Sequence, residues 1–302
     1  MAAGDGRVAG CRVVVTGAAG RLGRAMCAEF GRDASVVALT RTDLDITDGR
    51  AVGARLAAER PDIIVNCAGD NDVDLAEGRP VRALEVNAFA VKALARAADE
   101  AGAALVHFSS DFVFDGEASR PYTEADEPNP RSVYAASKLL GEWFALEARR
   151  SFVLRVESLF GPAGAGRVGS LDRIVEGIRA GAPVPVFVDR TVSPAYVADV
   201  AWATRRLIEG AAPGGLYHCV NAGAATWREI ALEIARLLGR EPRLTPITMD
   251  QAALRASRPR YSALDISKLG AAGVVMPGWQ TALARYLGSD PEKRGQAETL
   301  EA

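Results

Sequence analysis

One stretch constrains the fold more than any other: a short β-branched run that empties into a glycine-spaced turn and then a helical pattern. Cys11-Arg-Val-Val-Val-Thr16 is long enough for one strand buried inside a parallel sheet. It leads directly into Gly17-Ala-Ala-Gly20-Arg-Leu-Gly23, followed by the helical Arg24-Ala-Met-Cys-Ala-Glu-Phe30. Glycines at such a turn let the backbone approach a pyrophosphate, and the helix N-terminus adds amide donors and a favourable dipole. The spacing is Gly-x-x-Gly-x-x-Gly rather than Gly-x-Gly-x-x-Gly. A glycine-rich turn that merely packs a helix on a sheet is the competing reading.

The rest of the first half alternates strand and helix. Strands are expected at 35–40, 62–66, 104–108 and 152–156, and helices at 50–60, 80–101 and 132–149. Gly102 suits the end of the long second helix. This alternation predicts an α/β fold: a Rossmann-type doubly wound parallel sheet. Ligands of such sheets bind outside the C-terminal strand edge. The glycine loop, Asn66-Cys67-Ala68-Gly69, Ser110 and the 156–161 region all fall on that edge. After about residue 157 the pattern loosens: a glycine-rich loop over 161–169, helices at 170–180, 195–210 and 227–238, and strands at 183–188 and 216–220. It predicts a smaller, discontinuous C-terminal substrate-binding lobe. The expected division is residues 8–157 for the dinucleotide-binding domain and 158–290 mainly for the lobe, with some segments returning to the first domain. Residues 291–302 read as a flexible tail.

Composition removes whole classes of function. The chain has 302 residues and a net charge of -2, which gives nucleic acid no electrostatic footprint. No apolar run approaches membrane-spanning length, and residues 1–10 lack the apolar core of an export signal, so a cytoplasmic protein is expected. Cys11, Cys27, Cys67 and Cys219 are scattered without ligand spacing and read as reduced thiols; no metal site is expected. His107 and His218 each lie in a strand-like run and read as core residues.

The chemistry is carried by Ser109-Ser110-Asp111 and by Tyr134-Ala-Ala-Ser-Lys138. Tyrosine and lysine four residues apart share one helix face. An ammonium beside a phenol favours the phenolate and lowers the phenol's pKa. With a hydroxyl from a separate strand end, the three groups make a proton relay suited to a carbonyl under reduction. At the end of the second strand, Leu39-Thr-Arg41-Thr42 replaces the acid that would grip a ribose 2′-hydroxyl. A guanidinium flanked by hydroxyls suits a 2′-phosphate, so NADPH is preferred, with NADH use left open.

The whole pattern resembles the extended short-chain dehydrogenase/reductase superfamily, and within it the dTDP-4-dehydrorhamnose reductase-like nucleotide-sugar 4-ketoreductases. The resemblance runs from about residue 11 to 285. It rests on the glycine turn, Asp43-Leu-Asp-Ile-Thr-Asp48, Asn66-Cys-Ala-Gly-Asp-Asn-Asp-Val-Asp-Leu-Ala-Glu77, Val86-Asn-Ala88, Pro121-Tyr-Thr-Glu124, Tyr134 to Glu142, Arg155, Asp189 and Arg258 to Asp265. Its most diagnostic run is His107-Phe-Ser-Ser-Asp-Phe-Val-Phe-Asp-Gly116, where the family usually reads Ser-Thr-Asp-Tyr-Val-Phe-Asp-Gly.

The resemblance implies Ser110, Tyr134 and Lys138 as catalytic residues in reduction of a 4-keto deoxysugar nucleotide. Tyr134 would protonate the keto oxygen, Ser110 would hold it, and Lys138 would lower the phenol's pKa and bind the nicotinamide ribose. Gly17, Ala19, Gly20, Arg21, Leu22 and Gly23 would hold the dinucleotide. So would Arg41, Asp45 and Ile46 near the adenosine, Cys67, Ala68 and Gly69, and Asn87, which would support the lysine through water or the helix backbone. Asn71, Val73, Ser110, Asp111, Phe112, Ser158 and Arg258 would face the substrate, a small-molecule nucleotide sugar, and a homodimer is admitted. Two departures matter. Arg155-Val-Glu-Ser158 stands where the family usually has Arg-x-Ser-Trp, and Asp70-Asn71 replaces a Tyr-Thr pair. Two alternatives stay open: an epimerase or dehydratase of the same superfamily, and a non-catalytic subunit like methionine adenosyltransferase β. Phe112 after Asp111 argues against a 4,6-dehydratase, which usually carries Asp-Glu there.

Overall fold

A computed structural model describes residues 8–162 and 168–288. The expected tail at 291–302 and residues 163–167 of the expected loop lie outside these. Five parallel strands follow in order: β1 (Arg12–Thr16), β2 (Ser35–Leu39), β3 (Ile63–Asn66), β4 (Ala104–Ser110) and β5 (Ser151–Val156). Short strands β6 (Leu159–Phe160), β7 (Val184–Phe187), β8 (Thr191–Val192) and β9 (Ala195–Tyr196) come next. Then β10 (Gly215–His218) returns to the main sheet, whose order is β10-β5-β4-β3-β1-β2. Every pairing in that sheet is parallel. The order reverses direction between β1 and β3, and such a switch point opens a crevice at the C-terminal edge.

The strands are apolar because both faces are covered. Val13 and Val15 face one core and Val14 the other, as period-two alternation requires. The first core continues through helices α1 (Arg21–Phe30), α7 (Ser170–Arg179), α8 (Val197–Glu209), α9 (Trp227–Leu238) and α11 (Trp279–Gly288). The second lies under α2 (Gly49–Glu59) and α5 (Ala90–Ala101). Beyond the sheet, β6 pairs with β9, while β7 pairs with β12 (Leu244–Ile247) and β8 with β11 (Ala225–Thr226), each as a two-stranded ribbon. The proline-containing β7 sits in such a ribbon, where an edge is free. The segment expected as one helix from 195 instead begins with β9 before α8 starts at Val197.

The expected long helix over 80–101 is interrupted. It runs as α4 (Pro80–Leu84), a π turn over Glu85–Phe89, and α5, closed by Gly102 in the left-handed conformation. The π turn carries Asn87 and meets α6 (Val133–Leu146), whose N-cap Ser132 accepts from the Ala135 amide. Contact there is so close that a Cβ on Gly141 would sit 2.1 Å from the Asn87 carbonyl oxygen. Replacing Gly141 by alanine would gain about 1 kcal/mol of helix propensity, but the clash with backbone outweighs it. We expect Gly141→Ala to destabilise the protein by about 1–3 kcal/mol net, read as a lower midpoint in urea unfolding. An unchanged midpoint would show that α6 can move off the π turn at no cost.

Candidate active site

At the C-terminal end of β1, Gly17 has φ +65°, and a side chain there would press to 2.6 Å from the Ala68 amide. The glycine turn therefore lies directly on the Cys67–Ala68 turn that follows β3. A buried polar ladder fixes this junction: the Thr16 hydroxyl donates to Asn66 Oδ1 at 2.7 Å, and the Asn66 amide lies 3.1 Å from His107 Nδ1. Asn66 Oδ1 also accepts from the Ala68 amide. Gly23 in the first turn of α1 faces the Gly17 carbonyl at a spacing that no Cβ could share. Ala19 and Gly20 stay partly open at the turn, while Leu22 is buried in the core.

Arg21 is spoken for: it donates to the Leu159 carbonyl at 3.1 Å and pairs with Asp172 of α7. It thus straps the glycine turn to the residues after β5. Arg41 is exposed at the end of β2, in a turn held by Asp43, whose carboxylate accepts from the Thr40 amide and hydroxyl. Asp45 is exposed and binds the Thr47 hydroxyl, and the Ile46 side chain is buried in the second core.

Tyr134 and Lys138 lie on the buried side of α6, facing β4. Tyr134 is 7% exposed, packed with Val73 and Phe112 and edge-on to the Phe112 ring at 5.6 Å. Its hydroxyl lies near the Ser110 hydroxyl, which acts on it electrostatically. The expected lowering of this phenol by Lys138 is overturned. Burial pushes Tyr134 well above its ordinary value, the nearby Ser110 hydroxyl opposes this, and the Asp111 and Asp70 carboxylates add to it. Lys138 instead donates to the Phe108 carbonyl at 2.5 Å, and burial pushes it down to about 8. Asn87 makes its direct side-chain bonds elsewhere than to the lysine. Its side chain brackets Asp70, accepting from the amide at 2.8 Å and donating to the carbonyl at 2.9 Å, and donates to Ser137 at 3.0 Å. It braces the loop after β3 against α6.

The expected substrate residues divide. Asn71 is exposed beside Gly69, at the crevice. Val73 opens helix α3 (Val73–Gly78). Ser158 is partly buried with a left-handed φ of +43°, unusual for a non-glycine residue, just past β5. Arg258 is engaged in a two-bond pair with Asp74 of α3, at 3.0 and 2.8 Å. It ties the 256–265 segment to α3 rather than standing free. Asp111 is 2% exposed and accepts from Ser110 at 2.8 Å. The sequence reading missed two neighbours, Glu157 and Arg190, both buried against Asp111. Glu157 carried a signal: it is an acid where the resemblance has serine.

The four cysteines are free thiols. Among the described residues no cluster of His, Cys, Asp or Glu could hold a metal, and no helix is long and apolar enough to cross a membrane.

Comparison with known proteins fits this geometry. The family model for the RmlD substrate binding domain matches residues 11–290. The chain belongs to that family. A dTDP-4-dehydrorhamnose reductase of Streptomyces griseus is 40% identical over 281 residues, covering 90% of this chain and 91% of that protein. A dTDP-4-keto-6-deoxy-D-glucose reductase of Streptomyces niveus is 37% identical, covering 91% and 96%. Among solved structures, dTDP-4-dehydrorhamnose reductase from Bacillus anthracis str. Ames in complex with NADP superposes with a TM-score of 0.88 at 31% identity, over 93% of this chain and all of that one.

Lys138 binds its proton less tightly when folded than when unfolded. Folding is therefore penalised at neutral pH, and the penalty fades as pH rises from about 8 toward 10.5. Lys138→Met should raise stability at pH 7, by on the order of 1–3 kcal/mol. The gain over the parent should shrink near pH 10. Parallel unfolding curves at the two pH values check this; a constant or negative difference would refute it.

Proposed function

We propose that this protein is an NADPH-dependent reductase of the 4-keto group of a nucleotide-linked deoxysugar. The carrying observation is a buried phenol and a buried serine hydroxyl set together at the sheet edge beside a glycine-turn crevice, in a member of a family whose similar relatives are named as such reductases. The partly exposed turn at Ala19 and Gly20 and the first turn of α1 suit a pyrophosphate, and exposed Arg41 with its threonine neighbours suits a 2′-phosphate. NADPH, when bound, supplies the hydride.

The chain's own residues handle the oxygen. Negative charge grows on it as hydride arrives, so donors aimed there stabilise the transition state. Tyr134 gives its proton. Burial favours its protonated form, which is the form an acid must start in. Ser110 donates to the same oxygen, and the buried ammonium of Lys138 contributes positive charge behind the phenol. Asn71, Val73, Phe112 and Ser158 surround the sugar, while Asn87 and Arg258 position the loop and segment that carry the wall. Residues after 157 form that wall and return β10 and α8 to the sheet. Serine at 158 leaves no aromatic platform, which favours a sugar or carrier different from dTDP-4-dehydrorhamnose.

Three measurements test the reading. With a panel of 4-keto sugar nucleotides, NADPH should be oxidised stoichiometrically. Tyr134→Phe should cut turnover by roughly 10²–10⁴-fold with cofactor affinity little changed; undiminished turnover removes the phenol from the chemistry. Arg41→Ala should weaken NADPH binding by about tenfold or more while leaving NADH nearly unaffected, the loss of one charge-assisted contact. Equal losses would assign cofactor choice elsewhere.

A further inference from the structure

Ser110 faces a conflict that the reductase reading leaves open. A serine hydroxyl carries one hydrogen, and here it is already committed: Ser110 donates to Asp111 Oδ1 at 2.8 Å. The Ser110 oxygen accepts from the Phe112 amide at 3.2 Å, which fixes its place at the end of β4. While the hydrogen points at Asp111 it cannot point at a keto oxygen. Turning it away strips Asp111 Oδ1 of that donor, and Oδ2 is buried with no donor among the described residues. Asp111 is only 2% exposed, so baring its carboxyl group costs the full desolvation of that group.

Arg190 stands where it can remove that cost. Its side chain is 10% exposed, and its Nη2 stops 3.9 Å from Asp111 Oδ2. Its Nε is buried without a partner among the described residues. The guanidinium lies over the Phe112 ring at 5.3 Å, a contact that tolerates sliding across the ring face. An advance of about 1 Å brings it within hydrogen-bonding distance, where its fork can engage both carboxyl oxygens. The neighbouring groups are occupied. Glu157 accepts from the Ser193 amide at 2.6 Å and from the Ser262 hydroxyl, which turns that hydroxyl away from Asp111. Arg258 is engaged by Asp74. Burial pushes Asp111 above its ordinary value, and the Arg190 cation is the main influence opposing this.

We propose that Arg190 is a positioning residue that frees the Ser110 hydrogen for the substrate: it closes on Asp111 as the hydroxyl turns to the keto oxygen. This rests on the reductase reading for the identity of that oxygen. No covalent bond changes in the exchange. One donor replaces another on Asp111, and the Ser110 oxygen stays against the Phe112 amide while only its hydrogen swings. Negative charge growing on the substrate oxygen draws the hydrogen over, so the exchange belongs to the transition state. Arg190 therefore acts on kcat rather than on substrate affinity.

With a keto-sugar nucleotide that the protein reduces, Arg190→Met should lower kcat by about tenfold, with KM and NADPH affinity nearly unchanged. In a Ser110→Ala background the same change should cost nothing further, because no hydroxyl remains to be freed. A further tenfold loss there, or a raised KM for Arg190→Met alone, would mean that Arg190 touches substrate or merely supports the fold, and would overturn the proposal. Urea unfolding without cofactor or substrate tests the exchange itself. Either donor alone can hold Asp111, so the midpoint of the Ser110→Ala, Arg190→Met double variant should fall by more than the two single shifts together. Additive or smaller shifts would also overturn it, since in a rigid network the first loss already breaks the contact. A double variant that does not fold while both singles do is the same excess loss. Should Arg190→Met alone not fold, Arg190→Lys, which keeps the charge without the fork, takes its place in both series, with smaller shifts of the same sign. If no keto-sugar nucleotide is reduced at all, the reductase reading falls, and the unfolding series still decides whether Arg190 and Ser110 share Asp111.

Discussion

The buried ion pair between Arg155 and Glu142 sets where everything else at this edge can sit. Arg155 lies in β5 and Glu142 in α6; their bonds are 2.8 and 2.7 Å, and both side chains are 2% exposed. Removing one partner from such a pair costs about 3–5 kcal/mol, because the other charge is left stranded. The two-pronged geometry also fixes how far α6 slides along the strand. Tyr134 and Lys138 lie two turns and one turn before Glu142, and Glu157 lies two residues after Arg155. One electrostatic clamp thereby indexes the phenol and the carboxyl pair to each other. Arg155 also stacks 4.8 Å over Phe114, which carries the same constraint into the loop after β4.

Around that clamp, burial rather than mutual attraction shapes the electrostatics. The phenol is kept protonated, the lysine is weakened as a base-holder of its proton, and two acids are driven toward neutrality, all by exclusion of water. A site built this way is poised to give protons, the direction that reduction needs. It also makes the interior expensive, which is the usual balance between activity and stability.

Much of this was legible in the chain. Strand β1, the glycine turn and α1 form one local unit whose residues report directly on each other, and Tyr134 with Lys138 follows from helical spacing alone. What stayed hidden depended on distant partners. The Arg258–Asp74 pair joins residues 184 apart, so no local pattern distinguishes an engaged arginine from a free one. The phenol's environment followed from burial beneath Phe112 and Val73, which adjacency to a lysine does not reveal. Glu157 was visible as an oddity, but its meaning required Asp111 and Arg190 to be folded against it.

The π turn at Glu85–Phe89 has a further effect on how this helix is inherited. A π turn holds one residue more than an α turn, so the stretches on its two sides are out of phase by about 100°. Position-by-position comparison of apolar stripes across it will therefore misalign, although each half is regular. Losing a single residue there would restore an unbroken helix and swing Asn87 away from Asp70 and Ser137, which it now joins. The irregularity is thus what lets one amide side chain face a loop and a neighbouring helix together.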